Sequence, residues 1–315
     1  MKVITYHNVR PAGQIAENQF ALEIKNFGRQ LDYFLETSSF VSRSDLTSIL
    51  SGHKQPSENA ILLTFDDGLS DHINFVLPEL KKRNLYGIFF VCSNALEQTR
   101  LLDVHRIHYL LSKMKADDLL SQIETCIDDS DIQKEYKNDI LEFSYPNQGG
   151  LTPLVRVKQL LNYGLKPVKR QQYIDRLFQQ ITGLDEKKLS KATYLSPDQV
   201  RFLADQGMLI GVHTASHPVM SYLSKEMQKR EIEESLISLE VIVGPLAPKL
   251  YCHPYGGKYT YSQVTIDVLK DLSFDCGFSM NPNDVTQKTL LHNRFDLPRY
   301  DCITFAHGAS YSRQR

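Results

Sequence analysis

Ala60-Ile-Leu-Leu-Thr-Phe-Asp-Asp-Gly68 decides the fold. A short unbroken apolar run that stops at two acids and a glycine reads as a strand buried on both faces. Asp71–Arg83 follows, with Val76, Leu77 and Leu80 at helical spacing, and Tyr86–Cys92 is a second apolar run. Strand, helix and strand at this spacing form a βαβ unit, and hence a parallel sheet.

Similar runs recur outward from this unit, at Val3–Tyr6, Met208–Val212, Lys249–Cys252 and Phe274–Met280. Ser196, Pro197 and Gly207 bracket a helix as cap, first-turn proline and terminator. A further helix is expected over Lys225–Val243, with Ile232, Leu236, Leu239 and Val243 on one face. Residues 95–194 break the strand rhythm. They read as a mostly helical insertion, either a lid or partner surface or a passive elaboration, in a single domain spanning 1–315. Tyr145-Pro-Asn-Gln-Gly-Gly150 marks a turn within it.

A net charge of -1 supplies no global field for nucleic acid or anionic lipid, so no nucleic-acid partner is expected. No window approaches the roughly 20 apolar residues of a membrane span, and no signal-peptide core follows Met1. Five cysteines without a C-x-x-C pair argue against a disulfide framework or a cysteine zinc site. The expected location is cytoplasmic. Oligomeric state is not legible.

The chemistry concentrates at strand ends. Asp66 and Asp67 close one strand; they form either a solvated turn or a pair in which one acid binds a metal and the other stays free as a base. His213-Thr-Ala-Ser-His217 follows another strand; the histidines are either surface residues or two ligands of one ion. Pro218 disfavours helical geometry at His217, so the pair belongs on a loop. Together, one carboxylate and two imidazoles make a catalytic metal set with open positions, and the spare aspartate favours hydrolysis over oxygenase chemistry. Tyr6-His7, Tyr251-Cys-His-Pro-Tyr-Gly-Gly257 and Arg294-Phe-Asp-Leu-Pro-Arg-Tyr-Asp301 each place polar groups at the end of an expected strand, where parallel barrels carry active sites.

Thr64-Phe-Asp-Asp-Gly68 and His213-Thr-Ala-Ser-His217 resemble the first two motifs of the polysaccharide deacetylase family, carbohydrate esterase family four. The resemblance covers roughly residues 1–95 and 195–305 and leaves the insertion outside. It implies an α/β fold, a distorted (β/α) barrel of about seven repeats. It also implies that Asp67, His213 and His217 hold one divalent metal and that Asp66 is the general base. Zinc is the first expectation, with Co²⁺, Ni²⁺, Fe²⁺ and Mn²⁺ as alternatives. Pro254-Tyr255-Gly256 matches the end of the third motif, where a backbone N–H helps hold the oxyanion, but Cys252 stands where that motif carries an arginine. Arg299, or else Arg294, is the expected substitute beside Asp66. The late leucine-x-histidine motif resembles Ile4-Thr-Tyr-His7 moved to the front, as in the circularly permuted poly-N-acetylglucosamine deacetylases, which makes His7 the general acid and His307 its rival.

The expected activity is metal-dependent hydrolysis of an N-acetyl, or an O-acetyl, group on a carbohydrate. The alternatives are another metal-dependent C–N hydrolase and a non-catalytic glycan-binding protein. His253 is a lesser candidate for the pocket. His53, His72, His105, His108 and His292 are expected to be surface or structural residues, and the cysteines small buried hydrophobes.

Overall fold

The computed structural model describes residues 1–13, 21–133 and 152–309. Seven parallel strands form its centre: β1 Lys2–Tyr6, β2 Ala60–Phe65, β3 Ile88–Val91, β4 Leu209–Val212, β5 Leu250–Cys252, β6 Cys276–Phe278 and β7 Tyr300–Asp301. Side by side they run β7-β1-β2-β3-β4-β5-β6, and β1 pairs with β2 from Lys2–Ile61 through Tyr6–Phe65. The two ends of the row meet. Leu297 N–H donates to the Gly277 carbonyl and Ser279 N–H to that of Leu297, just before Tyr300 and Asp301 pair with Ile4 and Thr5. An extra two-residue strand, Ser39–Phe40, pairs with the start of β2. The result is the distorted barrel of about seven repeats that the motifs imply.

Strand alternation sorts the side chains into two layers. Val3, Leu62, Phe90, Leu250, Cys276 and Phe278 pack inside the barrel. Ile4, Tyr6, Leu63, Phe65, Phe89 and Val212 face the helices. In this outer layer Phe65 stacks between Tyr6 and Phe89, at centroid distances of 5.3 and 4.7 Å, and ties three strands together. Such pairs contribute about 0.5–1.5 kcal/mol beyond their burial.

The helix Pro197–Asp205 starts as expected: the Ser196 hydroxyl accepts from Gln199 N–H, and the Gln199 side chain accepts from Ser196 N–H. Lys225–Val243 is likewise one helix, capped by Ser224. The helix expected over Asp71–Arg83 departs from regularity, because His72–Val76 is a π turn that becomes α-helical only at Leu77–Lys82. Pro78 has no N–H for the Asn74 carbonyl, so the ladder widens there.

The described part of residues 95–194 is helical, with Asp103–Lys113, Ala116–Cys126, Pro153–Gln159, Pro167–Thr182 and Glu186–Thr193. It has its own apolar cluster, including Ile107, Leu110, Ile123, Leu161, Ile174 and Leu177, against which Tyr255 and Tyr259 of the barrel pack. It also carries ion pairs, the buried Arg106 with Asp175 and Glu186, and Arg170 with Asp103. The turn expected at Tyr145–Gly150 lies outside the described residues. Four cysteines are buried as expected; Cys126 is exposed, and all five are free. No helix among the described residues is long and apolar enough to cross a membrane.

Candidate active site

The inner layer of the barrel changes from apolar to polar at the strand ends. Val3 is followed by Thr5 and His7, Leu62 by Thr64 and Asp66, and Leu209 by Gly211 and His213. Strand periodicity thus aims Asp66, His213 and His7 at one point. The chain then turns sharply. Asp67 (φ 77°), Thr214 (φ 64°), His217 (φ 59°) and Tyr255 (φ 61°) all occupy the left-handed region without being glycine. Backbone strain of this kind costs on the order of 1–3 kcal/mol per residue and concentrates at functional sites. After Asp67, Gly68 (φ 65°) is required, since a Cβ there would lie 2.9 Å from Val91 Cγ1.

Two groups among the described residues could hold a metal ion, Asp67 with His213 and His217, and Asp66 with His213 and Cys252. Hydrogen bonding distinguishes them. Asp66 and Cys252 are already engaged by Arg299. Asp67 Oδ1 is buried without a hydrogen bond, 3.4 Å from His213 Nε2 and 3.6 Å from His217 Nε2. Donor atoms about 3.4 Å apart suit a tetrahedral ion with bonds of about 2.1 Å. His213 Nδ1–H donates to the Cys252 carbonyl at 2.8 Å, which presents Nε2 as the ligand atom. An orphaned buried carboxylate oxygen facing two imidazoles fits a divalent metal.

The electrostatics agree. Burial opposes the charge on Asp67, but the neighbouring His105 and His213 rings outweigh it and hold its carboxyl well below the usual range. Burial pushes His217 down to about 3, so this ring is neutral and able to ligate. Burial opposes the charge on His213 too, but Cys252 and Asp67 outweigh it and raise the group.

Asp66 is held differently. Arg299 Nη1 donates to Oδ1 at 2.9 Å and Nη2 to Oδ2 at 2.8 Å, with both residues buried. Burial would push the Asp66 carboxyl up, but the guanidinium outweighs it and keeps the group below the ordinary carboxylate range. Thr5 Oγ1 donates to Oδ2 at 3.3 Å. Arg299 also donates to Thr64 Oγ1, the Ser279 carbonyl and Cys252 Sγ, so the small Cys252 leaves room for an arginine that arrives from the closing strand. Arg294 donates instead to the Leu50 carbonyl, and Arg299 stands just before the strand Tyr300–Asp301 rather than after a strand.

The remaining candidates divide. His7 Nε2 lies 3.9 Å from Asp66 Oδ2 on a half-exposed side chain. His307 is exposed beyond β7, on the loop whose carbonyls bind Gln30. The Tyr255 ring sits edge-on to His217, 4.7 Å between centroids. His253 does not enter the site. It is buried, bonded to the Phe295 carbonyl and stacked on Tyr261 at 3.7 Å. Beside His217 a cavity of about 410 Å³ opens between the barrel and the helical segment, lined by Asn94, Arg100, Asp103, Arg170 and Tyr222 among others. Its size is that of a small-molecule site.

Two residues at the site were not legible from the motifs. Glu231 accepts from Ala215 N–H, Ser216 N–H and Ser216 Oγ, and so fixes the loop between the two histidines. His105, expected to be a surface or structural residue, is buried with Nε2 3.2 Å from Asp67 Oδ2. Its first-turn place on Asp103–Lys113 carries no sequence signal that distinguishes it from a satisfied core histidine.

A parallel barrel with an Asp-His-His set at its strand ends defines a hydrolase of the deacetylase type, and comparison with known proteins agrees. A family model described as polysaccharide deacetylase matches residues 53–147 and 170–277, well over half of the chain. The chain belongs to the polysaccharide deacetylase family, and its activity is carbohydrate deacetylation. The match reaches into the helical segment, further than the motifs alone suggest. Among solved structures, the chain is similar to the Streptococcus pyogenes deacetylase PplD in complex with acetate (16% identity, 96% of this chain and 91% of that one, TM-score 0.58). It is similar to a de-N-acetylase from Aggregatibacter actinomycetemcomitans (15%, 99% and 97%, TM-score 0.55) and to IcaB from Ammonifex degensii (16%, 95% and 90%, TM-score 0.54). At these identities the likeness is one of fold. None of the curated proteins compared matches.

Proposed function

We propose that this chain hydrolyses the N-acetyl group of an amino sugar with one divalent metal held by Asp67, His213 and His217. The observation that carries the reading is the unbonded, buried Asp67 Oδ1 facing the Nε2 atoms of both histidines. Zinc suits this donor set first, with Co²⁺, Ni²⁺, Fe²⁺ or Mn²⁺ able to take it. When bound, the metal supplies Lewis acidity to the acetyl carbonyl and to a water.

The chain's own residues account for the proton movements. Asp66, kept ionised by Arg299, accepts the proton of the attacking water at Oδ2, the oxygen nearer His7. Arg299 cannot itself be deprotonated, so it fixes the carboxylate without competing for that proton. His7 Nε2, close to Asp66 and open to solvent, delivers a proton to the departing nitrogen, which leaves poorly as an amide anion. The Tyr255 backbone N–H helps to hold the developing oxyanion, and its left-handed φ turns that peptide at the strand end. The cavity beside His217 takes the flanking glycan. Acetate and a free amino sugar result.

The test is acetate release from a panel of N-acetylated sugars and oligosaccharides by wild type and by Asp66→Asn. Release by wild type that falls by at least 10³-fold in Asp66→Asn, with metal still bound, supports the reading. Near-normal release by Asp66→Asn removes the base from the scheme.

A further inference from the structure

The helical segment begins and ends at the second oxygen of Asp67. Near its start, His105 places Nε2 3.2 Å from Asp67 Oδ2, while Nδ1 lies 2.6 Å from the Tyr194 hydroxyl. Near its end, Tyr194 receives the Leu102 N–H on its hydroxyl oxygen at 2.8 Å. That donor leaves the tyrosine proton for His105 Nδ1. The ring then carries a hydrogen on Nε2 and donates it to Asp67. Every member of the chain Leu102 N–H, Tyr194 O–H, His105 Nε2–H, Asp67 Oδ2 has one role, and His105 and Tyr194 are buried.

The backbone holds the same arrangement in place. Leu195 N–H donates to the Gly68 carbonyl at 2.9 Å, and Ser70 N–H to that of Thr193 at 2.8 Å. Leu69 forms an antiparallel bridge with Tyr194. Residues 193–195 therefore lie against the three residues that follow Asp67.

We propose that His105, oriented by Tyr194, is a positioning residue that pins Asp67 Oδ2, so that Oδ1 alone faces His213 and His217. The proposal rests on the metal reading above and gives the helical segment a part in it. A carboxylate free to rotate could swap its oxygens or bind through both. With Oδ2 committed to an imidazole N–H, it presents a single ligand atom, and a hydrogen bond from outside the ligand set tunes its basicity.

The experiment measures metal affinity, independent of turnover. Zn²⁺ is titrated into chelator-stripped full-length protein against a chromophoric chelator, and the Co²⁺ absorption spectrum is recorded. His105→Ala is expected to weaken binding 10- to 100-fold and to change the Co²⁺ spectrum. Tyr194→Phe, which removes one oxygen, is expected to shift both in the same direction by less. His105→Gln, whose amide N–H can still donate to Oδ2, is expected to recover most of the loss; a merely structural role predicts no such recovery. His105→Ala with a dissociation constant within twofold of wild type and the wild-type Co²⁺ spectrum overturns the proposal. Should that variant fail to fold, an unchanged constant and spectrum in Tyr194→Phe overturn it instead. Wild type that binds neither metal overturns the metal reading and this proposal with it, whereas wild-type binding shared by all the variants overturns this proposal alone.

Discussion

Arg299 and Asp66, 233 residues apart in sequence, meet as a buried bidentate pair at 2.9 and 2.8 Å. The pair joins the strand that closes the barrel to the acid assigned as base. Removing the guanidinium leaves burial unopposed at Asp66. In Arg299→Met the carboxyl is expected to rise, so that the acid limb of the kcat/KM profile moves to higher pH. Loss of one partner of a buried pair also costs about 3–5 kcal/mol, read as a lowered urea midpoint. An acid limb at the wild-type pH in a folded Arg299→Met would show that Asp66 does not depend on this partner.

His7 predicts a split by leaving group. An amine must be protonated as it departs, whereas an activated phenol need not be. His7→Ala is expected to lower kcat on N-acetyl sugars by roughly 10²- to 10⁴-fold and to spare an activated acetyl ester far more. His307→Gln is expected to leave both unchanged. Equal losses on amide and ester in His7→Ala, or a loss on amides in His307→Gln, would reassign the acid.

How much of this was legible in the sequence depends on the range of each contact. Asp66, Asp67, His213 and His217 sit directly after apolar runs, and strand periodicity carries them to the same end of the barrel, so local pattern sufficed. Arg299 needed closure of the ring through Leu297, a contact between remote segments that only the absence of an arginine at Cys252 hinted at. His105 was not legible. Its partners Asp67 and Tyr194 lie 38 and 89 residues away, and its helix looks like any other amphipathic helix. His253 erred in the opposite direction: it neighbours a motif, but its ring turns onto Tyr261 and away from the metal set.

Glu231 links the helix Lys225–Val243 to the ligand loop by accepting from Ala215, Ser216 and the Ser216 hydroxyl. Glu231→Ala removes the carboxylate that accepts all three hydrogen bonds. It is expected to cost about 1–3 kcal/mol of stability and to weaken metal binding by releasing His217, with both read from thermal melts with and without Zn²⁺. Unchanged melts in both conditions would show that the loop holds itself.

Buried histidines outside the metal set give the fold an acid limit. Burial pushes His72 and His253 down to about 4 from an ordinary value near 6.5. The unfolded chain binds these protons first, so stability is full above about pH 6.5 and falls as pH drops towards 4, by on the order of 3 kcal/mol for each group. Urea midpoints of metal-free protein at pH 7.5, 6 and 5 check the direction. His253→Phe is expected to flatten the slope; a slope identical to wild type would show that His253 is not neutral in the fold.

The most direct test of the central claim is acetate release from an N-acetylated sugar substrate by chelator-stripped protein as Zn²⁺ or Co²⁺ is added back. The account predicts no release without metal, full release at one equivalent, and neither tight binding nor release in His217→Ala. Undiminished release from protein shown to be metal-free, or from His217→Ala, would contradict it.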